Sequence, residues 1–142
     1  MALKPGVTVE SLDAISAGHL PGLLGFRVLA IGEGRLEAEL PIRPELLAPN
    51  GYLHAATVIA LSDTACGYGC IAHLPPGAEN FTTAELKCNF LGTAREGVIR
   101  CVAIPAHMGS TTHVWDATVT RVDDGRTIAL FRCTQMILYP KA

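Results

Sequence analysis

Asp63 lies in the middle of a long apolar stretch, residues 53–74, and no basic residue stands three or four positions away to pair with it. Positions 59, 60, 66 and 67 are Ile, Ala, Cys and Gly. A carboxylate held out of water without a counter-charge is costly, and desolvation raises its pKa. A carboxyl that titrates closer to neutrality is what a general base requires. The plain alternative is an Asp that faces solvent or bonds a backbone group.

His54 stands nine positions earlier, at the start of the same stretch. If the stretch is one helix, nine residues turn through about 900° and climb roughly 13.5 Å, which sets the two side chains on opposite faces. One helix then cannot bring both to the same substrate. A shared site would take the start of one subunit's helix and the middle of another's, as a two-fold dimer allows. The alternative for His54 is a structural, helix-capping role. The helix start has chemistry of its own, because its first backbone N–H groups lack intrahelical partners and lie at the positive end of the dipole. The Ala55 N–H is placed to polarise a carbonyl and stabilise a developing oxyanion. Gly51 lets the incoming chain turn sharply and approach a ligand closely. Asn50 either orients a water or carbonyl or forms, with Gly51, an Asn-Gly turn.

The elements that must hold these residues follow from the hydrophobic pattern. Residues 8–20 carry Val9, Leu12, Ile15 and Ala17 at helical spacing, and Pro21 and Gly22 are expected to end that helix. Residues 26–31 and 35–40 read as strands around a Gly-Glu-Gly turn, the second with Leu36, Ala38 and Leu40 on one face and Arg35, Glu37 and Glu39 on the other. Pro41, Pro44 and Pro49 mark a loop. Residues 53–74 are apolar on nearly all sides, so a membrane span must be weighed. His54, Ser62, Asp63, His73 and the amphipathic strands on either side favour a buried helix wrapped by a sheet. Pro75 and Pro76 stop it. Residues 81–91, 98–104, 111–122 and 127–138 read as four more strands. Pro105 and Gly109 punctuate the gap between the second and third, and Asp123, Asp124 and Gly125 turn the last hairpin. Gly67 and Gly69 weaken the helix on propensity alone, and close approach by a neighbouring element is their natural reason. Helices segregated from strands give an α+β fold with an antiparallel sheet on a central helix, as one domain over residues 1–142.

Two segments, NGYLHAATVIALSDTACGYG and FTTAELKCNFLGTAREG, resemble the phenylacetate-degradation (PaaI)-type thioesterases of the hotdog superfamily. The resemblance runs from about Leu24 to the end of the chain. It implies a hotdog fold, an antiparallel β-sheet wrapped around a long central helix, and hydrolysis of an acyl-CoA thioester. The family's Gly-x-x-His-Gly-Gly lead-in, acid nine residues after the His, and Thr or Ser at the start of the next strand fall on Gly51, His54, Asp63 and Thr83. Ala55 and Ala56 replace the two glycines, which keeps the backbone donors and narrows the space above them. The family's Asn, six residues before the His, is Ala48 here, and Gly67 occupies the place of a Thr found in a related branch. The resemblance therefore makes Thr83 the hydroxyl that holds a water, with Asp63 activating that water or attacking directly. His54 and the Ala55 N–H would bind the carbonyl. It places CoA along residues 107–112, where Met108, Gly109, Ser110 and Thr111 offer backbone and hydroxyl groups, with Ser110 where an Arg or Lys is common. The alternative for that segment is a simple turn. Trp115 is read as core or subunit interface, and Tyr68 and Met136 as acyl-pocket lining or as packing residues.

Composition sets the outer bounds. Of 142 residues, 49% are hydrophobic and 17% charged, enough for a real core and low enough in charge for a second subunit to cover part of the surface. A net charge of -2 without any basic run argues against nucleic acid as a partner. Five cysteines form no CxxC pair, and His107 and His113 lack a third ligand, so neither a metal nor a cofactor is expected. The first residues show no basic-then-apolar leader, which makes the cytoplasm the default compartment and a membrane partner unexpected. The expected partners are an acyl-CoA substrate and copies of the same chain, as a homodimer or homotetramer. The competing readings are a non-catalytic acyl-CoA binding module and a hotdog dehydratase or hydratase.

Overall fold

A computed structural model describes residues 2–141. A short helix α1 (Val9–Ser16) opens the chain, capped by Thr8 in a reciprocal pair of bonds with Ser11. Here the structure corrects the sequence reading. The first helix stops at Ser16 rather than running to Leu20, and Pro21 and Gly22 lie inside a second helix, α2 (Leu20–Leu24). Pro21 sits in its first turn, where the missing N–H costs nothing. Gly18 and Gly25, both at positive φ, break the chain on either side. Gly22 packs so tightly that a Cβ there would lie 2.4 Å from the Ser16 carbonyl oxygen.

Strands β1 (Arg27–Gly32) and β2 (Arg35–Pro41) follow, then a 3-10 turn at Pro44–Leu46 within the proline-rich loop. The central helix α3 (Ala55–Ala72) comes next, and then β3 (Asn80–Phe90), β4 (Val98–Met108), β5 (Thr112–Arg121) and β6 (Thr127–Leu138). The six strands form one antiparallel sheet in the order β1-β2-β4-β5-β6-β3. This is the hotdog arrangement, with α3 touching β2 through β6.

Strand β4 does not end before Pro105. It runs on to Met108, with a bulge between Pro105 and His107. A proline is tolerated there because β2 ends its pairing at Leu36 opposite Ala103, so no neighbour on that side needs the missing N–H.

The sheet wraps α3 because the helix is apolar on nearly all sides, and from Ala65 to Cys70 every residue is buried. Leu61, Ala65 and Cys66 are fully buried in one core with Leu36, Leu40, Ile99, Val119 and Trp115. Each such Leu or Ile contributes about 1.5–3 kcal/mol by leaving water. By length and composition α3 could cross a membrane, yet 61% of it is buried against the protein's own sheet. Gly67 and Gly69 have the reason expected of them. A Cβ on Gly67 would sit 2.9 Å from the Phe81 ring, and one on Gly69 would sit 2.7 Å from the Trp115 ring. At the far end His73 is fully buried. It donates from Nδ1 to the Gly69 carbonyl at 2.7 Å and accepts the Gly34 N–H at Nε2 at 3.0 Å, tying the first hairpin to the helix end.

Candidate functional site

The lead-in to α3 is built by a turn. Gly51 adopts φ 83°, a conformation that side-chain-bearing residues rarely take, and Asn50 Oδ1 accepts the Tyr52 N–H at 3.1 Å. The Asn50 side-chain carbonyl thus helps to shape the turn. The Leu53 N–H bonds the Ala94 carbonyl and the His54 N–H bonds the Leu46 carbonyl, which fixes the direction from which the chain enters the helix.

His54 is the N-cap of α3, with extended backbone, and its Nδ1 accepts the Ala56 N–H at 2.9 Å. Two consequences follow. The neutral ring must carry its proton on Nε2, which is free to donate outward from an exposed side chain. Because His54 stands outside the helix, the 100° rotation per residue does not fix where its ring points, so the opposite-face argument made from the sequence does not apply. Along the axis, Asp63, the ninth residue of α3, stands about 12 Å from Ala55. The Ala55 N–H, first of the helix, has no intrahelical partner.

Asp63 is half-buried, and burial holds its carboxyl above the ordinary aspartate range, partly offset by a hydrogen bond from Thr83. That bond, Thr83 Oγ1 to Asp63 Oδ1, is long at 3.5 Å. It crosses from the start of β3 to the middle of α3 within one protomer. A bulge in the β3–β6 pairing falls between Thr83 and Glu85, immediately after the hydroxyl it helps to aim.

Met108, Gly109, Ser110 and Thr111 form the β4–β5 hairpin, closed by the Gly109 N–H on the Thr112 carbonyl at 2.9 Å. The Tyr139 hydroxyl bonds the Ser110 carbonyl, and a Cβ on Gly109 would lie 2.8 Å from His107 Nε2. This hairpin sits at the other end of α3 from His54, since the next residue inward, His113, lies 3.4 Å from Cys70 Sγ. Within one protomer the structure therefore brings Thr83 to Asp63, and His54 to Asn50, Gly51 and Ala55. It leaves the hairpin and the helix start apart.

The sequence reading missed a polar row facing α3. Thr83, Gln135 and His113 lie directly opposite one another on β3, β6 and β5. Gln135 and His113 are fully buried, and the Gln135 amide and His113 Nε2 have no hydrogen-bond partner among the described residues. Burial and the neighbouring His73 and His107 keep the His113 imidazole below its ordinary pKa. The signal was available, because Gln135 occupies the inward register of β6 between buried Cys133 and Ile137.

Comparisons with known proteins agree with this fold. A sequence profile described as the thioesterase superfamily matches residues 50–128. The 1,4-dihydroxy-2-naphthoyl-CoA hydrolase of Escherichia coli (strain K12) is 32% identical over 141 residues, covering 97% of this chain and 100% of that protein. Among solved structures, a mutant of thioesterase PA1618 from Pseudomonas aeruginosa superposes with a TM-score of 0.91 at 26% identity, covering 97% of this chain and 99% of that one. The E. coli PaaI protein from the phenylacetic acid degradation operon shares the fold, with a TM-score of 0.80 at 20% identity, covering 91% of each chain.

Proposed function

This chain belongs to the thioesterase superfamily, and from that premise we propose that it hydrolyses an acyl-CoA thioester to the free acid and CoA, at a site shared by two subunits. The observation that carries the proposal is Asp63: a carboxyl on the central helix, pushed up by burial, with the Thr83 hydroxyl beside it.

In this reading Asp63 takes a proton from a water that Thr83 helps to hold, and the water oxygen adds to the thioester carbonyl. The oxyanion forms against the Ala55 N–H and the Nε2–H of His54, both aimed outward from the start of α3. Collapse of the tetrahedral species breaks the C–S bond, and the proton held by Asp63 returns to the departing thiolate. Water is consumed and no other reactant is needed.

About 12 Å of helix separates the two halves of this machinery within one protomer. A two-fold axis that sets two α3 helices antiparallel resolves it, with each His54 beside the partner's Asp63. The same arrangement carries the far end of the partner's helix past the helix start, so its β4–β5 hairpin would meet the Asn50–Gly51 turn. There Met108, Gly109, Ser110 and Thr111 would hold the pantetheine arm. Support for self-association comes from β3, a sheet edge of 11 residues. Leu86 and Phe90, 39% and 46% exposed, share the α3 face of the sheet and are left uncovered by α3. A long apolar edge of this kind is a template for pairing with another copy.

The experiment is release of free CoA thiol from a panel of acyl-CoAs, wild type beside Asp63→Asn. Hydrolysis of at least one thioester by wild type, and a loss of about a hundredfold or more in the variant, is the expected result. Tight binding of acyl-CoA without turnover by wild type would replace the hydrolase by a binding module.

A further inference from the structure

A groove of about 230 Å³ runs between α2, the Pro44–Leu46 turn and the first turns of α3. His54 lines it beside Leu20, Leu24, Leu46, Ala56 and Ala60. From this the geometry points to α2 as the wall of an acyl-group site that selects uncharged, apolar acyl chains or rings, an inference that rests on the thioesterase reading above.

Three observations carry it. First, the groove's polarity is concentrated where a reacting carbonyl would lie. The Thr57 hydroxyl is spent on the Leu46 carbonyl at 2.8 Å, which leaves the His54 imidazole and the Glu45 carboxylate as the polar side-chain groups in the lining. Arg43, beside the groove, is spent on Glu45 at 3.7 Å and on the α2 carbonyls, so no free cation of the described lining is left to hold a carboxylate at the far end of an acyl chain or the phosphates of CoA. Second, the volume is below the range of about 300–1,000 Å³ usual for a complete small-molecule site, so the groove suits part of a ligand rather than all of it. Ala56 and Ala60, one turn apart on one face of α3, form a shallow floor, and Asp63 continues that face by three residues.

Third, α2 is a built wall rather than a loose loop. Arg43 bonds the carbonyls of Leu23 and Leu24 at 2.6 and 2.8 Å, and Gly22 fits against the Ser16 carbonyl where no side chain would. Thus braced, the helix still leaves Leu20 60% exposed beside His54. A five-residue helix held this firmly while exposing leucine to water is placed to meet an apolar group.

The test compares octanoyl-CoA and benzoyl-CoA with acetyl-CoA, whose acyl group is too short to reach α2, in wild type and Leu20→Asp. Leu20 is exposed enough for the substitution to leave folding intact, which circular dichroism checks. The expected result is a fall of about tenfold or more in kcat/KM for the two larger substrates, the scale of one lost apolar contact plus a misplaced charge, with a much smaller fall for acetyl-CoA. Succinyl-CoA is expected to be a poor substrate that improves in Glu45→Gln. Equal effects on acetyl-CoA and octanoyl-CoA, or none, would overturn the inference. So would a change in oligomeric mass by light scattering in Leu20→Asp, which would assign the groove to a second copy of the chain. If wild type hydrolyses nothing, the thioesterase reading fails by itself. The groove is then judged by calorimetry with the thioether octyl-CoA, which must bind wild type about tenfold tighter than it binds Leu20→Asp.

Discussion

The Thr83 hydroxyl reaches Asp63 Oδ1 across the gap between the edge strand and the central helix, at 3.5 Å. The two act on the carboxyl in opposite senses: burial raises its pKa and the Thr83 bond lowers it. Asp63 must be ionised to accept a proton from water, so activity is expected to fall as pH drops through its raised pKa. Thr83→Val removes the lowering influence. The acid limb of kcat/KM is expected to move to higher pH in that variant, read from a pH–rate profile with any acyl-CoA that wild type turns over. An unmoved limb would mean that Asp63 is not the group titrating.

Asp63 also bears on stability. A carboxyl whose folded pKa lies above its unfolded value binds a proton more tightly when folded, so its contribution to stability declines as pH rises from the ordinary aspartate value through the raised one. Asp63→Asn removes that penalty. The variant is expected to melt higher than wild type at neutral pH, and the gap should shrink as pH falls below the carboxylate range. Thermal melts across pH 3 to 8 would show it; a lower Tm at neutral pH would mean that groups other than Thr83 stabilise the charge.

Gly67 and Gly69 separate two kinds of close approach. A Cβ on Gly69 meets the ring of Trp115, fully buried and unable to move, whereas one on Gly67 meets the tip of Phe81, which lies near the sheet edge. Gly69→Ala is therefore expected to cost about 1–3 kcal/mol, the usual range for overpacking, and Gly67→Ala less. Urea denaturation of the two variants gives the comparison, and equal costs would count against the packing argument.

The edge strand provides a test of assembly. Leu86→Asp puts a charge into the exposed apolar strip of β3 while leaving the core untouched. Analytical ultracentrifugation is expected to show a shift toward monomer, with activity that depends on protein concentration. A variant that sediments as wild type would place the interface elsewhere.

Much of the fold was legible because its signals are local. The alternation of Leu36, Ala38 and Leu40 fixes β2, and the all-round apolarity of residues 53–74 marks a helix that a sheet must wrap. The misreadings have a common cause. Pro21 and Pro105 read as breaks because proline usually is one. Pro21 begins a helix, and Pro105 sits where the neighbouring strand has ended, a fact of tertiary pairing that no local pattern carries. The residue types of the candidate site were legible, Asp63 above all, with helix capping among the readings of His54. Two things were not: the opposition of Thr83, Gln135 and His113 across three strands, and the wall that α2 adds beside His54. Each depends on contacts between residues far apart in sequence.

The most direct test of a site shared by two subunits is complementation. His54→Ala and Asp63→Asn are purified separately, each nearly inactive, then unfolded together, refolded and assayed for thiol release beside equally treated wild type. In a mixed dimer one site combines both defects and the other is intact, so random pairing is expected to restore about a quarter of wild-type activity. A mixture no more active than its components, with exchange of subunits verified by mass spectrometry, would place His54 and Asp63 in separate sites or in one protomer and would contradict the account.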